Sequence, residues 1–126
     1  MAIFTHVVLG TNNLDKARNF YDKTLATLGL SRKMDMENAS LWGKDGPEFM
    51  ITKPANGQPA TSANGGTIGF AAADRPAVHA FHEAALAAGG TCEGPPGPRS
   101  FTPTAYAAYV RDPDGNKLTA YTFVPG

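Results

Sequence analysis

A single cysteine, Cys92, among 126 residues excludes a disulfide within the chain and leaves no thiol pair for redox exchange or a cysteine-rich metal site. Such a thiol reads as a small apolar residue beside a turn. Charge of one sign is lacking too. Eleven basic residues balance eleven acidic ones, and no run of lysine or arginine forms a stripe that could track phosphates. Nucleic acid is therefore not an expected partner. Apolar runs fall well short of the roughly 20 residues needed to span a bilayer, and no basic segment leads into an apolar one near the start. The reading is a chain with no membrane partner and no leader, in a reducing cytoplasm. Its length suits one domain, with a core of its own and no room for a second.

What is present is patterned. Residues 3–10 form a β-prone run ending in turn residues. Asn12 or Asn13 can cap a helix whose apolar positions Leu14, Ala17, Tyr21, Leu25 and Leu28 recur at helical spacing until Gly29 stops it. Three short strands are predicted around Arg32–Met36, Ser40–Trp42 and Glu48–Thr52. Pro54–Gly66 has loop composition and no period.

The second half then repeats the first. A shift of 61 residues lays Thr67 on His6, Ile68 on Val7, Phe70 on Leu9, Phe81 on Phe20, Leu86 on Leu25 and Gly90 on Gly29. Asp74 caps the second helix, Pro76 sits in its first turn, and Val78, Phe81, Ala85 and Leu86 form its apolar face. A strand near Thr91, a loop over Gly94–Pro103 with four prolines, and a hairpin reversing at Asp112-Pro-Asp-Gly-Asn116 complete the repeat.

Both halves thus read strand, helix, strands, an α+β pattern in which each helix covers one sheet face and a second, curved face is left free as a cup. Module 1 covers about 1–54, a linker about 55–65 and module 2 about 66–126. Alternation turns Val7 and Leu9 toward the helix and His6 and Val8 into the cup.

The first strand with His6, the repeat, and Asp-Pro-Asp-Gly-Asn near the end together resemble the vicinal-oxygen-chelate superfamily: glyoxalase I, bleomycin- and fosfomycin-resistance proteins, and extradiol dioxygenases. The resemblance covers essentially the whole chain. It implies an α+β fold of two βαβββ modules forming a curved mixed β-sheet cup, with a metal held at four corners, on the first and last strands of each module. His6 matches the first corner. Thr67 stands where a histidine usually begins the second module, and Thr119 where a glutamate usually follows the motif. The fourth corner falls near Met50–Thr52, with Glu48 too early on its strand.

A catalytic first-row metal generally needs about three imidazole, carboxylate or thiolate ligands. His6 alone would hold one at about millimolar strength, ~4 kcal/mol. No metal cofactor is therefore expected, and His6, Thr67 and Thr119 read as vestigial corners.

Residues expected to touch a ligand are His6, Trp42, Thr67, Arg99, Tyr109, Thr119 and Tyr121, with Arg111 a weaker anion partner. His79, His82 and Glu83 have the spacing of a helical metal clip but read more simply as a solvated face. Asp112, Asp114 and Asn116 read as turn chemistry rather than a calcium loop.

The leading reading is a protein that binds or sequesters a small, aromatic molecule in a metal-free cup, and that pairs as a homodimer to cover its open sheet edges. The alternative is a lyase or dioxygenase-type enzyme using a divalent metal at His6 with atypical ligands, or metal-free acid–base chemistry by His6 and Tyr109. A third is an interaction domain with a vestigial cup.

Overall fold

The structure, a computed structural model, describes residues 3–126. Two modules of the same order follow one another. The first contains β1 (Val7–Gly10), α1 (Leu14–Ala26), β2 (Ser31–Asp35), β3 (Ala39–Gly43) and β4 (Phe49–Thr52). The second contains β5 (Ile68–Ala71), α2 (Arg75–Ala87), β6 (Thr91–Pro98), β7 (Tyr106–Arg111) and β8 (Lys117–Thr122). No regular element lies between β4 and β5. No helix among the described residues is long and apolar enough to cross a membrane.

Local chemistry sets the helix ends. Asn13 accepts from the Lys16 amide and Asp74 from the Ala77 amide, each satisfying an otherwise orphaned donor of the first turn. Gly29 and Gly89 close the helices at φ +78° and +101°, a region that L side chains avoid. The following amides, on Leu30 and Gly90, donate back to Leu25 and Ala85.

Each module makes its own four-stranded mixed sheet, β1-β4-β3-β2 and β5-β8-β7-β6, with the outer helix-linked strand parallel to the last strand. The α+β class and the paired cup-forming modules hold. The two sheets are separate: β1 and β5 are edge strands, each hydrogen-bonded on one side only.

The core lies where α1 and α2 meet the inner faces of both sheets. It joins Phe20, Tyr21 and Leu25 to Trp42, Phe49 and Ile51, and to Phe81, Val110 and Leu118. Phe70 of β5 bridges the halves, its ring 5.1 Å from Phe49 and 6.4 Å from Phe81. Full burial of each such side chain contributes about 1.5–3 kcal/mol.

Two expectations change. The stretch Gly94–Pro103 is not all loop, because β6 continues to Pro98 with irregular register around Gly94 and Gly97. An edge strand tolerates proline where the missing amide would have faced outward. Leu86, placed on the buried face of α2, is 41% exposed, since Val78, Phe81 and Ala85 already fill that face.

The Asp112–Asn116 turn clasps the other module. Asp112 is buried and accepts from the Tyr21 hydroxyl, from the Asn116 side-chain amide, and from the backbone amides of Asp114 and Asn116. Asp114 accepts from the Thr11 hydroxyl and the Asn12 amide, and the Asn116 side chain donates to the Gly10 carbonyl. Its carboxylates are thus engaged in structure, in keeping with turn chemistry.

Candidate functional site

Alternation along the strands leaves one face of each sheet turned away from the helices. On the second sheet, Gly69, Thr119 and Tyr109 lie side by side across β5, β8 and β7, with Ala71, Tyr121 and Ala107 in the next row. Phe123, two residues beyond Tyr121, keeps the same parity and stacks on it at 5.5 Å and 25°. Tyr109 meets Tyr121 edge-on at 6.2 Å. Phe101, from the connection after β6, lies 6.5 Å from Tyr121 and 6.1 Å from Phe123. Phe101 is 75% and Phe123 48% exposed, so the cluster presents aromatic surface to solvent.

Cations border this cluster. The Arg99 guanidinium lies 5.5 Å and the Lys117 ammonium 5.3 Å from the Tyr109 ring centre. Arg99 also donates to the carbonyls of Pro95, Gly97 and Pro98, which orders its own irregular strand. Hydrogen bonding with Tyr109, then partial burial, raises the Tyr121 phenol above its ordinary range, against a lowering pull from Arg99. Tyr121 is therefore a neutral donor at pH 7.

The first sheet presents a different surface. Val8, Met50, Leu41 and Met34 fall in one register row across it, and Val8 and Met34 are about half exposed. His6, just before β1, is exposed, its Nδ1 3.0 Å from the Thr5 hydroxyl. A cleft of about 590 Å³ between the β1 and β5 edges brings His6, Trp42 and Thr67 together with Val7, Phe49 and Ile68. Trp42 reaches the cleft from a fully buried position, where it belongs to the core rather than to a rim. Its parity sets it beside Phe49, and its indole N–H donates to Asp22 at 2.9 Å.

Tyr109, Thr119, Tyr121 and Arg99 do not line that cleft. Within one chain the expected ligand-contacting residues therefore divide between the cleft and the second sheet's outer face. His6 stands in the first module and Tyr109 in the second.

Sheet register identifies the fourth corner. Ile68 pairs with Leu118, so Thr67 falls opposite Lys117 and Thr119 stands two residues further on. The same step in the first sheet, where Val7 pairs with Phe49, carries His6 past Glu48 to Met50. The four positions thus hold one imidazole, one thioether and two hydroxyls. The Thr119 hydroxyl already donates to the Ala108 carbonyl at 2.8 Å. This donor set does not fit a first-row divalent metal. Among the described residues, no group of three or more histidine, cysteine, aspartate or glutamate side chains is placed to hold one elsewhere.

The remaining candidates have partners. His79 Nε2 lies 2.6 Å from the Tyr106 hydroxyl and His82 Nε2 3.1 Å from Cys92 Sγ, so the two imidazoles point to separate neighbours. Arg111 donates to Glu93 and to the Gly115 carbonyl. Sequence reasoning missed Phe101, Lys117 and Phe123 and the methionine row. Parity counted from Thr119 would have found Lys117 and Phe123. Phe101 sits in a connection with no period to count.

Comparison with known proteins agrees with this geometry. The Glyoxalase/Bleomycin resistance protein/Dioxygenase superfamily pattern matches residues 3–119. A glyoxalase/bleomycin resistance protein from Albidiferax ferrireducens T118 is 45% identical over 95% of this chain and 98% of its own, with a TM-score of 0.88. Two more distant structures share the fold. A lactoylglutathione lyase from Agrobacterium tumefaciens is 23% identical over 95% and 92% of the two chains, TM-score 0.66. The fosfomycin resistance protein FosX from Mesorhizobium loti is 14% identical over 97% and 92%, TM-score 0.69. No curated protein sequence matches the chain.

Proposed function

Because the chain belongs to the Glyoxalase/Bleomycin resistance protein/Dioxygenase superfamily, we propose that it uses the cup of that fold to bind a small planar aromatic molecule without a metal. The observation that carries this reading is the aromatic cluster of Tyr109, Tyr121, Phe123 and Phe101, open to solvent beside the altered corner at Thr119. Aromatic side chains facing a flat ligand add about 0.5–1.5 kcal/mol per pair beyond the area they bury. Nothing at the corners competes for that role, since Met50 and Thr67 are poor ligands and the Thr119 hydroxyl is engaged with backbone.

The cup in this reading is completed by a second copy. Its support is that β1 and β5 each keep one unpaired edge, that Ile3, Phe4, Val8 and Met34 lie exposed on the first module, and that the two modules hold different halves of the expected site. A homodimer pairing the methionine row of one copy with the aromatic face of the other would close the cup.

Thermal-shift and calorimetric titration with planar aromatics, with and without chelator, tests the binding function. Saturable stabilisation indifferent to chelator is the expected result. Binding that disappears with chelator, together with stoichiometric metal in the purified protein, would replace this reading with the metal-dependent enzyme.

A further inference from the structure

The charge around the aromatic cluster is uneven in a chain that carries no net charge. Lys117, Tyr109 and Arg111 stand on the outer face of the second sheet, Lys117 and Arg111 directly paired in register, and Arg99 approaches Tyr109 from the end of β6. Against these three cations stands one carboxylate, Glu93, bound to Arg111. The Arg111 hydrogen bond, aided by Lys117, holds the Glu93 carboxyl below its usual range, so it is fully ionised and committed to that pair. Among the described residues, Arg99 and Lys117 have no carboxylate within ion-pair distance.

Two positive groups therefore converge on one tyrosine ring at the border of an exposed aromatic surface, and the nearby carboxylate of Glu93 is held by Arg111. From this juxtaposition we infer that the ligand of the second sheet's outer face is a planar aromatic anion. Its ring lies against Tyr121 and Phe123, and its carboxylate or comparable acidic group is set at the Tyr109 border between Arg99 and Lys117. The inference rests on the aromatic-binding reading and adds the sign of the ligand's charge.

Unpaired cations beside a partly dehydrated surface attract an anion more strongly than they would in open water. They repel a ligand of the same shape carrying a positive group. Exposure of the site makes the preference sensitive to salt, over a screening length of about 10 Å at 0.1 M.

The test is calorimetric titration of the full chain at pH 7 with three probes sharing one ring system: 2-naphthoate, neutral 2-naphthamide and 2-naphthylmethylammonium. The expected order is naphthoate tightest, by about tenfold over the amide, with the ammonium weakest. Raising the salt to about 1 M should shrink the naphthoate advantage while leaving the amide nearly unchanged. Lys117→Gln should lower the naphthoate-to-amide affinity ratio by several fold.

Equal affinity for all three, a preference for the ammonium, or a naphthoate ratio untouched by both salt and Lys117→Gln would overturn the inference while the aromatic reading stands. Failure of all three probes to bind would overturn both.

Discussion

The Tyr21 hydroxyl of the first helix donates to Asp112 Oδ2 in the last hairpin turn at 2.5 Å, across 91 residues of sequence and between two buried side chains. This bond joins the module that supplies His6 to the module that supplies Tyr109 and Tyr121. Removing the donor leaves a buried carboxylate one partner short, which costs about 1–3 kcal/mol. Tyr21→Phe is expected to lower unfolding stability by that amount in a urea titration at pH 7, with the midpoint shifted and the slope unchanged. A shift below about 0.3 kcal/mol would remove the clasp from the account of stability.

The same pair sets an alkaline limit. Burial first, then the Asp112 charge and hydrogen bond, raise the Tyr21 phenol well above its ordinary value near 10. A raised value in the folded state means that this contribution is complete below the unfolded phenol's range and is lost as pH climbs through the folded value. Wild type should therefore lose stability from about pH 10 upward more steeply than Tyr21→Phe, which has no phenol at that position to ionise. Parallel stability profiles for the two proteins would refute this.

At the aromatic face, Tyr109→Ala and Tyr121→Ala should each weaken a bound planar aromatic by about 1–3 kcal/mol. Calorimetry on variants with native circular dichroism is the measurement, and unchanged affinity in both would exclude these tyrosines from the site.

A rebuilt metal centre tests the corners. Thr67→His with Thr119→Glu would add an imidazole and a carboxylate to His6, the two-histidine, one-carboxylate set that suits ferrous iron. Wild type should purify without stoichiometric metal. The double variant should bind Fe²⁺, Mn²⁺ or Zn²⁺ and melt higher when metal is added, because a ligand of the native state alone shifts the folding equilibrium. Since His6 and Thr119 belong to different sheets, Val8→Lys at the β1 edge, which adds charge but no carboxylate beside His6, should abolish that response if the third ligand comes from a second copy. A well-folded double variant indifferent to metal would sink the corner assignment.

Light scattering at micromolar concentration is expected to give twice the 13.2 kDa chain mass, falling to one chain mass in Val8→Glu. A wild-type mass of one chain would leave the β1 and β5 edges without their proposed partner.

Several of these relationships could be read before any coordinates. The helix caps follow from Asn and Asp beside amphipathic runs, the hairpin from Asp-Pro-Asp-Gly-Asn, and the inward turn of Val7 and Leu9 from simple alternation. What escaped is tertiary in origin. Nothing local to Trp42 distinguishes a cup wall from a core until Phe49 and Asp22 are beside it. The prolines after Gly94 hid a strand, because their cost depends on whether the strand lies at an edge. Alternation likewise assigns His6 and Thr119 each to an outer face without saying that the two faces belong to separate sheets. The fourth corner needed the pairing of Val7 with Phe49 to settle on Met50.

The prolines of β6 have one more consequence. The far edge of the second sheet carries Pro95, Pro96 and Pro98 with two register breaks, and the far edge of the first carries β2, with its own break at Arg32–Met34 and the charged residues Arg32, Lys33 and Asp35. Backbones so interrupted are poor templates for another strand. A sheet extended by joining β1 to a β5 therefore begins and ends on blocked margins, and that joined sheet cannot grow further strand by strand.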